Sequence, residues 1–201
     1  MMTMQFFLVR HAVKEKAVGN VDITIEGISQ AQKTAQYFDH VPITALISSP
    51  LQRAISTASY ISQVTGVAVQ VDQRLRERVN WGDLPEQTFQ EFVEMWDRCT
   101  MEPHYIPPIG DSAHEAGERL FLLLMALIDQ YPKSSNIVMI THGGLITDYL
   151  TNFFPESILN KLRSDFILQQ SQLVSECSIT KLSYDGNTFS IDQFASTKHL
   201  Q

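Results

Sequence analysis

At 201 residues, 44% of them apolar and 18% charged, the chain has the size and composition of one ordinary globular domain and can bury a substantial core. Fifteen Lys and Arg against 22 Asp and Glu give a formal charge of −7, which argues against a surface built to hold nucleic acid or anionic lipid. Cys99 and Cys177 are too few and too far apart for a disulfide framework or a four-ligand zinc site, so a reducing compartment is expected.

The first apolar run, Phe6-Phe7-Leu8-Val9, lacks a basic segment before it and stops at Arg10, so it does not read as a secretory signal. It reads instead as a strand buried on both faces, with Arg10 and His11 at its exit from the sheet. Ala12 to Asp22 is polar and should form a loop above that strand end, where loops commonly touch ligand. Thr24 caps a predicted helix carrying Ile25, Ile28, Ala31, Ala35 and Phe38, with Pro42 beyond its end. Ala45-Leu46-Ile47 is the second predicted strand. In Ser48-Ser49-Pro50-Leu51-Gln52-Arg53, Ser49 is expected as N-cap and Pro50 as the first residue of a helix that Gly66 closes. Arg53 then lies in the first turn, where its charge opposes the helix dipole unless an anion joins them.

Val67 to Val71 is a third predicted strand. From about residue 79 to 110 the pattern loosens into Trp81-Gly82-Asp83, a helix around Phe89, Phe92, Val93 and Trp96, and a loop with Pro103, Pro107 and Pro108. This segment is expected to be an insertion or lid over the strand ends. Ser112 and Glu115 fit a capping box for a long helix through Leu120, Leu123, Leu124, Leu127 and Ile128. The apolar run Leu120 to Ile128 is far below the roughly 20 residues that span a bilayer. Asn136 to Thr141 is a further strand, ending at His142-Gly143-Gly144, after which Leu145 to Phe154 is helical. Cys177 to Tyr184 and Thr188 to Phe194 form a hairpin around Asp185-Gly186. The expected fold is therefore α/β, a three-layer sandwich with a mostly parallel central sheet, helices on both faces and an antiparallel hairpin near the C-terminus. Residues 1–201 are expected to form a single domain.

If the strands ending at His11 and His142 are parallel, their carboxyl ends share the edge where such sheets bind ligands, although 131 positions separate the two imidazoles. Arg10, His11, Arg53, Glu77 and His142 around one point suit a dianionic phosphate. Guanidinium forks match its oxygens, an unprotonated imidazole nitrogen can attack phosphorus, and a carboxylic acid can protonate the leaving alkoxide. Taken alone, Glu77 is equally well explained as part of a solvated ion-pair cluster with Arg74, Arg76 and Arg78. The remaining histidines, His40, His104, His114 and His199, have no spaced partners and read as surface or loop residues. No P-loop, dinucleotide fingerprint or His-Glu-x-x-His occurs, and the paired arginines would repel a metal ion, so no metal and no cofactor are expected.

Four pieces in order, Leu8-Val9-Arg10-His11-Ala12, Ser48-Ser49-Pro50-Leu51-Gln52-Arg53-Ala54, Leu75-Arg76-Glu77 and Thr141-His142-Gly143-Gly144, resemble the histidine phosphatase superfamily, or phosphoglycerate mutase-like family. The resemblance covers nearly the whole chain. It implies a histidine acid-type phosphatase, a phosphoric monoester hydrolase. His11 would be the phosphorylated nucleophile, Arg10, Arg53, His142 and Gly143 the phosphate-binding groups, and Glu77 the proton donor that later activates water. Three departures stand out. Ala12 replaces the family's Gly after Arg-His. Val13-Lys14-Glu15 replaces the Glu-Ser or Glu-Thr of mutases. Gly110-Asp111-Ser112 replaces Gly-Glu-Ser. Lys14, Asn20, Trp81 and Ser112 are the candidate specificity contacts. The expected partner is a small phosphorylated substrate, with no nucleic acid and no membrane; the protein should be cytoplasmic, as monomer or homodimer. Two alternatives remain: a phosphoglycerate-type mutase on the same site, and a non-catalytic phospholigand-binding protein of the same fold.

Overall fold

Phe6 and Leu8 leave strand β1 (Met4–Arg10) toward one face and Phe7 and Val9 toward the other, and all four are buried, as a strand with cover on both sides requires. The structure is a computed structural model, described over residues 3–201. With β2 (Ala45–Ser48), β3 (Val69–Val71), β4 (Asn136–Thr141), β5 (Ile179–Tyr184) and β6 (Phe189–Ser196), β1 forms a six-stranded sheet in the order β3-β2-β4-β1-β5-β6. β1, β2, β3 and β4 run parallel. β5 pairs antiparallel with β1, and β6 antiparallel with β5. β3 is shorter than the predicted Val67–Val71 strand because its first two residues do not pair with β2.

Helices cover both faces, completing the three layers. α1 (Ile25–Asp39) and α2 (Gln52–Thr65) pack Ala35, Phe38, Ala54, Ala58 and Ile61 against Phe7, Val9, Val138 and Ile140. On the opposite face α4 (Ala113–Gln130) and α5 (Gly143–Phe153) bury Leu120, Leu124, Leu145 and Tyr149 against Phe6, Leu8, Ile137 and Met139. α3 (Phe89–Met101) belongs to the segment expected as an insertion, which has a small core of its own in Val79, Met95 and Cys99. The stretch between α5 and β5, which periodicity left unassigned, holds α6 (Glu156–Leu162) and α7 (Phe166–Leu173).

The predicted caps were correct at two helices and wrong at a third. Thr24 accepts from the Gly27 N–H, and Ser112 and Glu115 form the reciprocal box. α2, however, starts at Gln52 and not at Pro50; Ser49 lies outside it, its hydroxyl turned elsewhere. The free Gln52 N–H is instead met at 2.7 Å by the Asn20 side-chain oxygen, from the loop after β1. No helix among the described residues is long and apolar enough to cross a membrane.

Candidate active site

The register that pairs Arg10 with Thr141 puts the next residues of β1 and β4, His11 and His142, at adjacent strand ends, their ring centroids 5.1 Å apart. Both imidazoles are buried, His142 completely. His11 Nδ1 lies 2.8 Å from the Ala12 carbonyl, an acceptor only, so this nitrogen carries the hydrogen and Nε2 presents its lone pair. Arg53 Nε donates to that Nε2 at 3.1 Å. Burial, with Arg53 and Arg10 nearby, holds the His11 imidazole well below its usual value, so the ring is neutral near pH 7. His142 is likewise held well below its usual value by burial, then by Arg53, His11 and Arg10.

Ser49 explains how His142 is held. Its oxygen accepts the Leu51 N–H at 3.3 Å and stands 2.7 Å from His142 Nε2, so its own hydrogen can go to that nitrogen. The His142 proton is then assigned to Nδ1, which has no partner in the protein. His142 does not line the cavity but stands behind it.

The two arginines are held differently. Arg53, in the first turn of α2 and 4% exposed, also donates to Asn80 Oδ1 at 3.1 Å. Burial is the largest influence on it and lowers it to about 10, with Glu77 opposing and Arg10 adding to the shift. Arg10 donates from its two terminal nitrogens to the Val174 carbonyl and to Glu176, each at 2.5 Å. Its fork, expected to be free for an anion, is therefore anchored to the segment before β5, and its buried Nε is the donor without a partner. The Cβ of any residue other than glycine at Gly143 would press on this side chain.

Glu77 is buried beside them. One carboxyl oxygen accepts the Arg78 N–H and the other the Gly144 N–H of the first turn of α5, each at 3.1 Å. Its segment is braced by Arg119, which donates to the Arg74 and Arg76 carbonyls at 2.6 and 2.8 Å while pairing with Asp111 at 2.7 Å. Arg78, which the alternative reading of Glu77 placed in a solvated cluster, is wholly buried. It meets Asp148 of α5 at 2.7 Å, donates to Thr100 of α3 and stacks 3.8 Å over Trp96. Burial pushes the Asp148 carboxyl above the ordinary range against the pull of Arg78. This pair fastens the inserted helix to α5 directly behind Glu77.

A cavity of about 450 Å³ opens at this edge. Arg10, His11, Arg53, Glu77, Gly143 and Gly144 line its inner end, and Lys14 and Trp81 also line it. Ser112 and Asn20, the other two specificity candidates, do not: the first caps α4 and the second caps α2. Asn80, Glu176 and Asp148 went unnoticed in the sequence, and Arg78 was seen there only as a member of a solvated cluster. Among the described residues no group of three or more His, Cys, Asp or Glu side chains is placed to hold a metal ion.

A mostly parallel sheet with paired imidazoles and guanidiniums at its carboxyl edge defines an α/β protein equipped for an anionic ligand. Comparison with known proteins makes the class specific. The family model described as histidine phosphatase superfamily (branch 1) matches residues 6–197, and the chain belongs to that superfamily. A relative from Cronobacter sakazakii named probable phosphoglycerate mutase GpmB is 34% identical over 152 residues, 70% of each chain. Among solved structures, a mycobacterial glucosyl-3-phosphoglycerate phosphatase superposes with a TM-score of 0.76 at 21% identity, covering 97% of this chain and all of that one. A phosphoserine phosphatase mutant from Entamoeba histolytica, in complex with phosphoserine, gives 0.75 at 21% identity over 98% of this chain and all of that one. At such identities the two structures establish the fold.

Proposed function

We propose that the protein is a metal-independent phosphatase that moves the phosphoryl group of a monoester to His11 and then to water. The observation that carries this reading is the tautomer of His11: with Nδ1 committed to the Ala12 carbonyl, the Nε2 lone pair faces the cavity edge beside Arg53. In the first step a bond forms between Nε2 and phosphorus and the ester P–O bond breaks. The departing alkoxide takes a proton from Glu77. In the second, Glu77 accepts a proton from water as its oxygen attacks phosphorus, the P–N bond breaks and inorganic phosphate leaves. Arg53 Nε, already directed at Nε2, follows an oxygen of the transferring group, and Arg10 Nε is a further donor without a protein partner; His142 Nδ1, equally unpartnered but behind the cavity, reaches the group only as it seats against His11. Spontaneous monoester hydrolysis is slow enough to need accelerations of up to ~10²¹-fold, so nucleophile, acid and cationic cradle must act together.

Residues 1–201 act in this reading as one domain in the cytoplasm, with 79–110 forming one wall of the substrate cavity. Two guanidiniums beside the nucleophile would oppose a metal ion there, and no cofactor is needed. The test is release of inorganic phosphate from a panel of monoesters with and without a chelator. Turnover that survives chelation and disappears in His11→Ala supports the reading; activity abolished by the chelator rejects it. The name of the Cronobacter relative favours a second reading, a mutase on the same nucleophile. Dependence of activity on a bisphosphorylated primer would decide for it.

A further inference from the structure

The cavity changes character along its length. Its cationic lining side chains are Arg10, Lys14, Lys16 and Arg53, and its carboxylates are Glu77 and Glu176, of which Glu176 is already paired with Arg10. With Glu77 holding the proton it donates and Glu176 paired with Arg10, this end carries ample positive charge for one phosphoryl dianion, and the side chains of the wall beyond it include no cation for a second acidic group on the substrate. Beyond this end the wall is made by Val79, Trp81, Phe89, Phe92, Val93 and Trp96, all from the inserted segment.

The inserted segment offers almost nothing for hydroxyl groups to bond; outside it, Ser171 also lines the cavity. The Trp81 indole N–H already donates to the Gln87 carbonyl at 3.2 Å, so only its ring is presented. The Asn80 amide is occupied by Arg53 and by the Gly19 and Trp81 carbonyls. Trp81 meets Phe89 edge-on at 5.0 Å and Phe92 lies 6.1 Å from Trp96, a spacing in which aromatic groups add further rings. Phe89 is 58% exposed, unusual for so large an apolar side chain unless something covers it. A polyol held here would lose water from its hydroxyls without replacement, whereas an apolar ring would gain contact on several sides.

We propose that the substrates are phosphate monoesters of apolar, ring-bearing alcohols, carrying the phosphoryl group as their one acidic function, rather than phosphorylated sugars or hydroxy acids. The inference rests on the phosphatase reading and assigns its leaving group. It gives the inserted segment its purpose, since this segment supplies every aromatic ring of that wall, with Val13 the one apolar lining side chain from elsewhere apart from glycine.

Four alkyl esters test it with little difference in leaving-group chemistry: 2-phenylethyl phosphate, ethyl phosphate, glycerol 3-phosphate and 3-phosphoglycerate, compared by kcat/KM. Burying one phenyl ring should favour the phenylethyl ester over the ethyl ester by about 10- to 100-fold. Glycerol 3-phosphate and 3-phosphoglycerate should fall no higher than ethyl phosphate. In Phe92→Ala and Trp81→Ala the phenylethyl-to-ethyl ratio should shrink toward one. Phe92→Leu, which keeps most of the apolar volume, should retain more of it and guards against loss of the fold. A ratio near one in the native protein, or preference for either glycerol-derived ester, overturns the leaving-group assignment and leaves the phosphatase standing. Failure to hydrolyse any of the four overturns both.

Discussion

Replacing Gly144 by alanine should separate proton donation from nucleophilic attack. A Cβ at this position would lie 2.5 Å from the Trp96 ring and 2.7 Å from Glu77 Oε1, where ordinary contact begins at 3.4 Å. The shortfalls of about 0.9 and 0.7 Å fall on the indole that Arg78 stacks against and on the carboxyl that the Gly144 N–H holds. Overpacking of this kind costs about 1 to 3 kcal/mol of stability, which a domain of this size survives. Displacement of a catalytic group by close to 1 Å costs roughly 100-fold. The loss should depend on the leaving group. A p-nitrophenyl ester, whose leaving group needs no proton, should keep most of its rate of phosphoryl transfer, while an alkyl ester should lose about two orders of magnitude. Burst kinetics on the two esters measure this. Equal losses on both would refute the placement of Glu77 as the acid and show that the methyl group acts on the cradle as a whole.

Three other outcomes follow from the same geometry. Asp148→Ala leaves the Arg78 guanidinium buried without a counter-ion and should cost about 3 to 5 kcal/mol in denaturant unfolding, whereas Arg78→Met with Asp148→Leu should recover part of it; a double variant no better than the single one would contradict the pairing. Asn20→Ala removes the oxygen that meets the Gln52 N–H and should cost about 1 kcal/mol with little change in leaving-group preference; altered preference without loss of stability would return Asn20 to the substrate. His11 and His142 are both held below the ordinary imidazole value of about 6.5, so the unfolded chain takes up protons that the folded one refuses. Their contribution to stability is therefore constant above that value and declines as pH falls below it, by at most about 1.4 kcal/mol per pH unit for each ring. Urea unfolding between pH 7 and 5 should show a shallower fall in His142→Gln, and an unchanged slope would count against burial of a neutral imidazole.

Much of this site was visible in the chain because its residues sit where apolar runs stop. Phe6 to Val9 and Ile137 to Ile140 declare buried strands, and Arg10, His11 and His142 stand out as polar groups at their ends. The parts that escaped notice depend on packing that no local pattern records. Arg78 lies in a run with Arg74 and Arg76, indistinguishable in composition, and only the arrival of Asp148 from α5 makes it an interior residue. Glu176 lies in a stretch without clear periodicity, where Asp165 adopts a positive φ of 54° between two short helices. Ser49 misled because Ser-Pro before an apolar period reads as a helix start. Its hydroxyl faces His142 across 93 positions of sequence, and the cap comes from Asn20.

The most direct measurement is the chemical form of the trapped intermediate. Enzyme quenched during turnover of a monoester and denatured in base should show, by phosphorus NMR and peptide mapping, one phosphoramidate on His11, bonded through Nε2, stable to base and lost in acid. Phosphate on His11 Nδ1, on His142 or on no residue during steady turnover would contradict the account.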